Sequence, residues 1–196
     1  MRLPSFLSKL AIIGGIAGVG KTTVLNIFYE KLKAKGISFG VFVYGTVMFE
    51  EAQKLGVKDR DEMRNLPYEK QFELQKSAAK RIASSKSFLK VVDTHFQIPT
   101  PFGYLPGIPM HVAKILKPTH LFLITAPAEL IIKRRMNDPT RKREIIPLEK
   151  VEEEIEYSRM YMISVSNITG ALASEVVNEE GKPEATAEEL IKRLEL

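Results

Sequence analysis

The sequence predicts an α/β protein of three layers, with a five-stranded parallel sheet and helices on both of its faces. Two observations predict it. Five short apolar runs, rich in β-branched residues and each of strand length, recur along the chain: Leu10–Ile13, Phe39–Tyr44, Phe88–Val92, Leu121–Thr125 and Ala173–Val177. The intervals between them carry apolar residues at helical spacing. Near-continuous apolar strands alternating with helices need cover on both faces, and a parallel sheet between two helical layers gives it.

The elements follow in order. Leu10–Ile13 is a buried strand feeding a glycine loop. Val24, Leu25, Phe28 and Leu32 share one face of the first helix, which Gly36 ends. After the second strand, a long helix begins near Pro67 and presents Tyr68, Phe72, Ala79 and Ile82. The third strand closes on Asp93. The Pro- and Gly-rich segment Thr100–Pro109 reads as an ordered loop. The helix after the fourth strand carries Lys133, Arg134 and Arg135 and is broken at Pro139, which leaves Arg141 and Arg143 on a loop. Leu148, Val151, Ile155 and Met162 mark the next helix, with Met160 and Met162 as core filling. Asn178–Gly181, after the fifth strand, is either a simple turn or the place where the base of a bound nucleotide would rest, and Leu190, Ile191 and Leu194 face the core from the last helix. No repeat or linker divides the 196 residues, so residues 1–196 form one domain.

Composition excludes several classes. Apolar residues make up 44% and charged residues 27%, the balance of a globular protein. No apolar run approaches the ~18 residues of a membrane helix, and Lys9 interrupts the apolar start before it could serve as a signal peptide. A cytoplasmic protein without a membrane partner is expected. The chain has no cysteine, which rules out disulfides, a thiolate nucleophile and Cys-ligated zinc. A net charge of +5 suits either nucleic acid or small phosphate-bearing ligands.

The placement of that charge is informative. Gly15-Ile16-Ala17-Gly18-Val19-Gly20-Lys21-Thr22 matches GxxxxGKT between a strand and a helix, and Thr23 follows in the first helical turn. Glycines let the backbone wrap close enough for its N–H groups to face phosphate oxygens, and the helix N-terminus adds positive potential. This segment is expected to bind ATP. Lys21 bridges the β- and γ-phosphates and the Thr22 hydroxyl meets Mg²⁺. The apolar strand ending in Asp93 supplies the acid that holds magnesium through water.

The acceptor can be narrowed on chemical grounds. A hydroxyl acceptor calls for a base, whereas a phosphate acceptor is already anionic and calls for cations. Two basic clusters are present, Lys58-Asp-Arg60-Asp-Glu-Met-Arg64 and the run from Lys133 to Arg143. Guanidinium groups suit phosphoryl oxygens. The second run lacks interleaved aromatics, which argues against a nucleic-acid platform. Two other readings stay open at this level: a kinase for a hydroxyl metabolite or another nucleoside monophosphate, with Asp93 as base in the hydroxyl case, and an RNA-associated NTPase.

The segments Gly15–Thr22, Tyr44-Gly-Thr-Val-Met-Phe-Glu50, Asp59–Arg64, Asp93-Thr-His95, Thr100–Pro109 and Asp138–Arg143 together resemble archaeal-type adenylate kinases. The resemblance runs in register over nearly the whole chain. It implies a P-loop kinase fold, an AMP-binding segment at about 45–85, a short lid at about 135–147, and the reversible reaction of Mg-ATP with AMP to give two ADP. It assigns Thr46, Arg60 and Arg64 to the AMP side; His95, just after the strand-end acid, is read as positioning AMP or as a loop hydrogen bond, since a phosphate acceptor needs no base. Lys21, Arg134, Arg141 and Arg143 go to the transferring phosphoryl group, and Arg159 is carried into the cleft. It also implies a homo-oligomer, a trimer. Ala17 stands where such loops often carry proline, and the extension before the first strand is longer than the family's usual one.

Overall fold

The computed structural model describes residues 8–137 and 147–196. Its central sheet has five strands in the order β2-β3-β1-β6-β7: β1 (Lys9–Gly14), β2 (Phe39–Val43), β3 (Leu89–Asp93), β6 (His120–Thr125) and β7 (Leu172–Val177). All four pairings are parallel. The expected sheet is therefore present, and its pleat explains the layers. Ala11 and Ile13 face one core with Val24, Leu25 and Phe28 of α1 (Lys21–Ala34) and Leu190 of α8 (Pro183–Arg193). Leu10 and Ile12 face the other. There they meet Ala78 and Ile82 of α4 (Tyr68–Ala83), Val112 of α5 (Met110–Leu116) and Met162 of α7 (Leu148–Thr169). Alternate residues of one strand thus serve two cores.

Several local expectations need correction. The two outermost strands are not buried: Val41 and Val43 on β2 and Val177 on β7 are exposed, because an edge strand has a neighbour on one side only. Tyr44 belongs to α2 (Tyr44–Gln53), not to β2; its ring is buried and its hydroxyl donates to Gln75 O at 3.1 Å. On α4 the buried stripe is Leu74, Ala78, Ala79 and Ile82. Tyr68 is exposed and leans on Phe72 at 6.4 Å between ring centroids, so the first turn of α4 stands outside the packed face. Met160 is exposed as well, two residues before Met162 and therefore on the opposite side of α7 from the buried stripe. Thr100–Pro109 lies largely in an antiparallel hairpin, β4 (Gln97–Thr100) with β5 (Gly103–Pro106). The hairpin rests on α7, with Tyr104 stacked on Tyr157 at 4.2 Å and Tyr161 Oη donating to Tyr104 O at 2.7 Å.

The remaining helices are α3 (Arg60–Arg64) and α6 (Ala128–Met136). Asp59 caps α3 by accepting from the N–H groups of Asp61 and Glu62 at 3.0 and 2.8 Å. This folding pattern matters for function because β1 is where the strand order reverses, and ligands of open α/β sheets sit beyond the carboxyl ends of the strands at such a point.

Candidate active site

The loop between β1 and α1 occupies that point. Gly20 serves as N-cap of α1 with φ of 84°, a left-handed conformation that glycine adopts without a Cβ penalty. A Cβ there would also come within 2.5 Å of Asn178 Nδ2 and 3.3 Å of Arg134 Nη1. Thr22 and Thr23 are exposed on the first turn, and Lys21 is half-buried beside them.

Asp93 ends β3 opposite Ile13 of β1. Lys21 Nζ pairs with Asp93 Oδ1 and also donates to Thr94 O at 3.1 Å. The loop lysine and the strand-end acid, 72 positions apart in sequence, thus meet in one site. A hydroxyl and a carboxylate are hard oxygen donors, the chemistry that suits Mg²⁺. Among the described residues no group of three His, Cys, Asp or Glu side chains could cage a metal. A magnesium ion held by few protein ligands, with water and phosphate completing its shell, is compatible with that donor set.

On the other side of the loop stands α6. Arg134 Nη1 donates to Val19 O at 3.0 Å and lies 3.4 Å from Gly18 O. Arg135 Nε donates to Ala17 O at 2.8 Å, while its Nη2 pairs with Glu154 Oε2 of α7 at 2.7 Å. Asn178, buried just beyond β7, donates from Nδ2 to Val19 O at 2.8 Å. Sequence reasoning missed Arg135 and Glu154 as parts of this site, and it offered Asn178 only for the base or as a turn, not as a donor to the loop. The available signal was position: Asn178 follows a strand at its carboxyl end, where sites of this fold gather.

A second polar group lies near the carboxyl end of β2, the next strand but one from β1. Arg60 Nη2 donates to Thr46 Oγ1 at 2.9 Å, and its guanidinium lies 5.5 Å from the centroid of the Phe49 ring. The structure therefore brings Thr46 and Arg60 together. Arg64 instead pairs with Asp61 of its own short helix at 2.8 Å and is 70% exposed. His95 is exposed two residues after Asp93.

Arg159 does not extend freely. Its guanidinium pairs with Glu175 of β7 through Nε at 2.9 Å and Nη2 at 3.1 Å, and it also pairs with Glu156. Arg159 holds the Glu175 carboxyl below the usual carboxylate range, against the opposing effect of burial, and the Thr125 hydroxyl adds to the lowering. Arg141 and Arg143, and most of the expected lid at 135–147, lie outside the described residues.

The arrangement suits transfer between two phosphate-bearing ligands. It has a backbone cradle with a lysine, an acid at the adjacent strand end and a separate arginine site on the same edge of the sheet.

Comparison with known proteins agrees with this chemistry. A family model described as an AAA domain matches residues 14–152, from the end of β1 into α7. The chain is 43% identical over 183 residues to the adenylate kinase of Thermoplasma acidophilum, covering 93% of this chain and 96% of that one. It is 42% identical over 193 residues to the adenylate kinase of Saccharolobus solfataricus, with 95% and 99% covered. For that of Methanocaldococcus jannaschii the identity is 41% over 189 residues, with 95% and 98% covered. Among solved structures, the shikimate kinase of Acinetobacter baumannii in complex with shikimate superposes with a TM-score of 0.53 at 18% identity, covering 96% of this chain and 93% of that one. The shikimate kinase of Bacteroides thetaiotaomicron gives 0.54 at 13% identity, with 96% and 99% covered. At such identities these structures speak for the fold and not for the acceptor.

Proposed function

The chain belongs to the adenylate kinase family, and on that premise we propose that it transfers the γ-phosphoryl group of ATP to AMP, reversibly, giving two ADP. The observation that carries the reading is the presence of two cationic sites on one edge of the sheet, the phosphate loop with Lys21 after β1 and the Thr46–Arg60 pair after β2.

In this reading residues 15–23 hold ATP, with backbone N–H groups and Lys21 on its phosphates. Residues at about 45–85, which include α2, α3 and α4, form the AMP segment. Thr46 and Arg60 stand at the acceptor, and Arg64 takes its phosphate once it exchanges Asp61 for the ligand. His95 positions the acceptor from the end of β3. The acceptor oxygen is anionic at neutral pH, so no general base is required, and the protein's task is alignment and charge neutralisation. Arg134, with Arg141 and Arg143 of the lid segment, neutralises charge on the transferring group. Thr22, and Asp93 through water, would hold magnesium, which would supply charge neutralisation at the phosphates.

A cytoplasmic homo-oligomer, a trimer, belongs to the same reading. The apolar surface of the hairpin supports self-association: Ile98 and Leu105 stand opposite each other in register and both are exposed, with Phe102 fully exposed at the tip. Light scattering on the purified protein gives the subunit count directly.

Arg64→Ala tests the acceptor assignment. The variant is expected to raise the KM for AMP at least about tenfold, the loss of one charge-assisted contact, while the KM for ATP stays within about twofold. The Arg64–Asp61 pair is solvated, so its removal costs little stability. Steady-state kinetics with each substrate varied in turn checks both. If neither constant moves, Arg64 is a surface residue and plays no part in binding AMP.

A further inference from the structure

Three consecutive carbonyls of the phosphate loop are engaged by side chains from outside it. Arg135 Nε serves Ala17 O at 2.8 Å and Asn178 Nδ2 serves Val19 O at 2.8 Å. Arg134 lies between them, on Val19 O at 3.0 Å and Gly18 O at 3.4 Å. Such loops work through their N–H groups, and each peptide unit is planar and trans, so its C=O and the next N–H point to opposite sides. A donor that fixes Ala17 O on one side fixes the Gly18 N–H on the other. A donor on Val19 O does the same for the Gly20 N–H.

Both donors are themselves held from behind. Arg135 and Glu154 are largely buried, with side-chain exposures of 11% and 15%, and the second arm of the guanidinium is occupied by that carboxylate at 2.7 Å. Asn178 is 2% exposed. Its backbone N–H donates to Thr125 O at 2.7 Å, and its Oδ1 lies 3.3 Å from the Thr186 hydroxyl, which sets the amide with Nδ2 toward the loop. Buried side chains that are fixed at one end and donate at the other act as supports, because moving them would strand polar groups away from water.

We propose that Arg135 and Asn178 are positioning residues that present the phosphate loop to its ligand. By capturing the carbonyls of Ala17 and Val19 they hold the Gly18 and Gly20 N–H groups toward the phosphates before the nucleotide arrives. The inference rests on the reading of this loop as the ATP site. It concerns the polyphosphate and not the base, and this separates it from the alternative that Asn178, in the turn after β7, contacts adenine.

The test uses inorganic tripolyphosphate as an inhibitor of ADP formation, since it has phosphates and no base. Asn178→Asp keeps the shape and the acceptor for Thr186 but loses the donor to Val19 O. Arg135→Met loses both arms of the guanidinium, and Arg135→Lys restores one donor. The wild type should be inhibited competitively with ATP. Asn178→Asp and Arg135→Met should each raise the inhibition constant for tripolyphosphate and the KM for ATP by about tenfold, the usual effect of one oriented hydrogen bond. The KM for AMP should stay within about twofold, and Arg135→Lys should recover most of the loss. Thr186→Val, which frees the Asn178 amide, should move the same constants by a smaller factor. The inference is overturned if the ATP KM rises while the tripolyphosphate constant does not, which would assign Asn178 to the base. It is overturned equally if AMP and ATP constants rise together with a fall in Tm, or if nothing changes. A wild type that tripolyphosphate does not inhibit against ATP overturns the reading of the loop itself.

Discussion

Lys21→Ala lowers kcat by roughly 10²–10³, the loss expected when one oriented cation or donor is removed from a developing charge in a site closed to water. Lys21 is the only loop side chain that can carry a full positive charge to the phosphates, since the loop's other residues contribute backbone groups or hydroxyls. Its ammonium meets both the Asp93 carboxylate and Thr94 O, so it is already held at the mouth of the site rather than free in solvent. The substitution also leaves Asp93 without this cation, at 22% side-chain exposure, which adds a stability cost. Measuring Tm beside kcat separates the two. A folded Lys21→Ala protein with turnover near that of the wild type would remove the loop from the reaction.

The second large effect is on stability. A Cβ at Gly107 would lie 1.8 Å from His95 O and 2.8 Å from His95 C, both backbone atoms that cannot swing aside. Gly107 also donates its N–H to Phe96 O at 2.8 Å, so the two segments are locked together at this point. Its φ is not in the left-handed region, and the penalty is therefore purely one of space. Gly107→Ala should cost about 3 kcal/mol or more, at the upper end for overpacking. That corresponds to a fall in Tm of roughly 6–12 °C for a domain of this size. Because the displaced backbone is that of His95, the KM for AMP should rise in the same variant. A Tm within about 2 °C of the wild type would show that the hairpin and the end of β3 are not packed as described.

The sheet was legible because its inner strands have no polar face. β1, β3 and β6 are covered on both sides, so their residues form near-continuous apolar runs, broken in the interior only by Lys90 of β3. The same logic misled at the edges, where β2 and β7 keep β-branched residues but expose several of them. The phosphate loop and Asp93 were legible because their chemistry needs fixed residue types at fixed places in the strand–loop–helix order. Their pairing, Lys21 with Asp93, follows from the parallel register of β1 and β3.

The supports behind the loop were not legible. Arg135 looks like any member of a basic run until its neighbours are known, and Asn178 looks like a turn residue. Each acquires its role from a carbonyl more than a hundred positions away in sequence. Arg159 shows the converse. Resemblance carried it into the cleft, while β7 supplies a carboxylate, Glu175, that holds it. The short α5 escaped notice because seven residues give less than two full periods to read. Met160 and Met162 are alike in composition, and only the helical phase of α7 decides which is buried.

The central claim is tested most directly by following ADP formation from Mg-ATP by the purified protein, with AMP present or withheld and with CMP, UMP, GMP and dTMP in parallel. The account predicts fast formation of two ADP for each AMP consumed, a rate near zero when AMP is withheld, and AMP as the preferred acceptor. ADP formation at the same rate without AMP would contradict it.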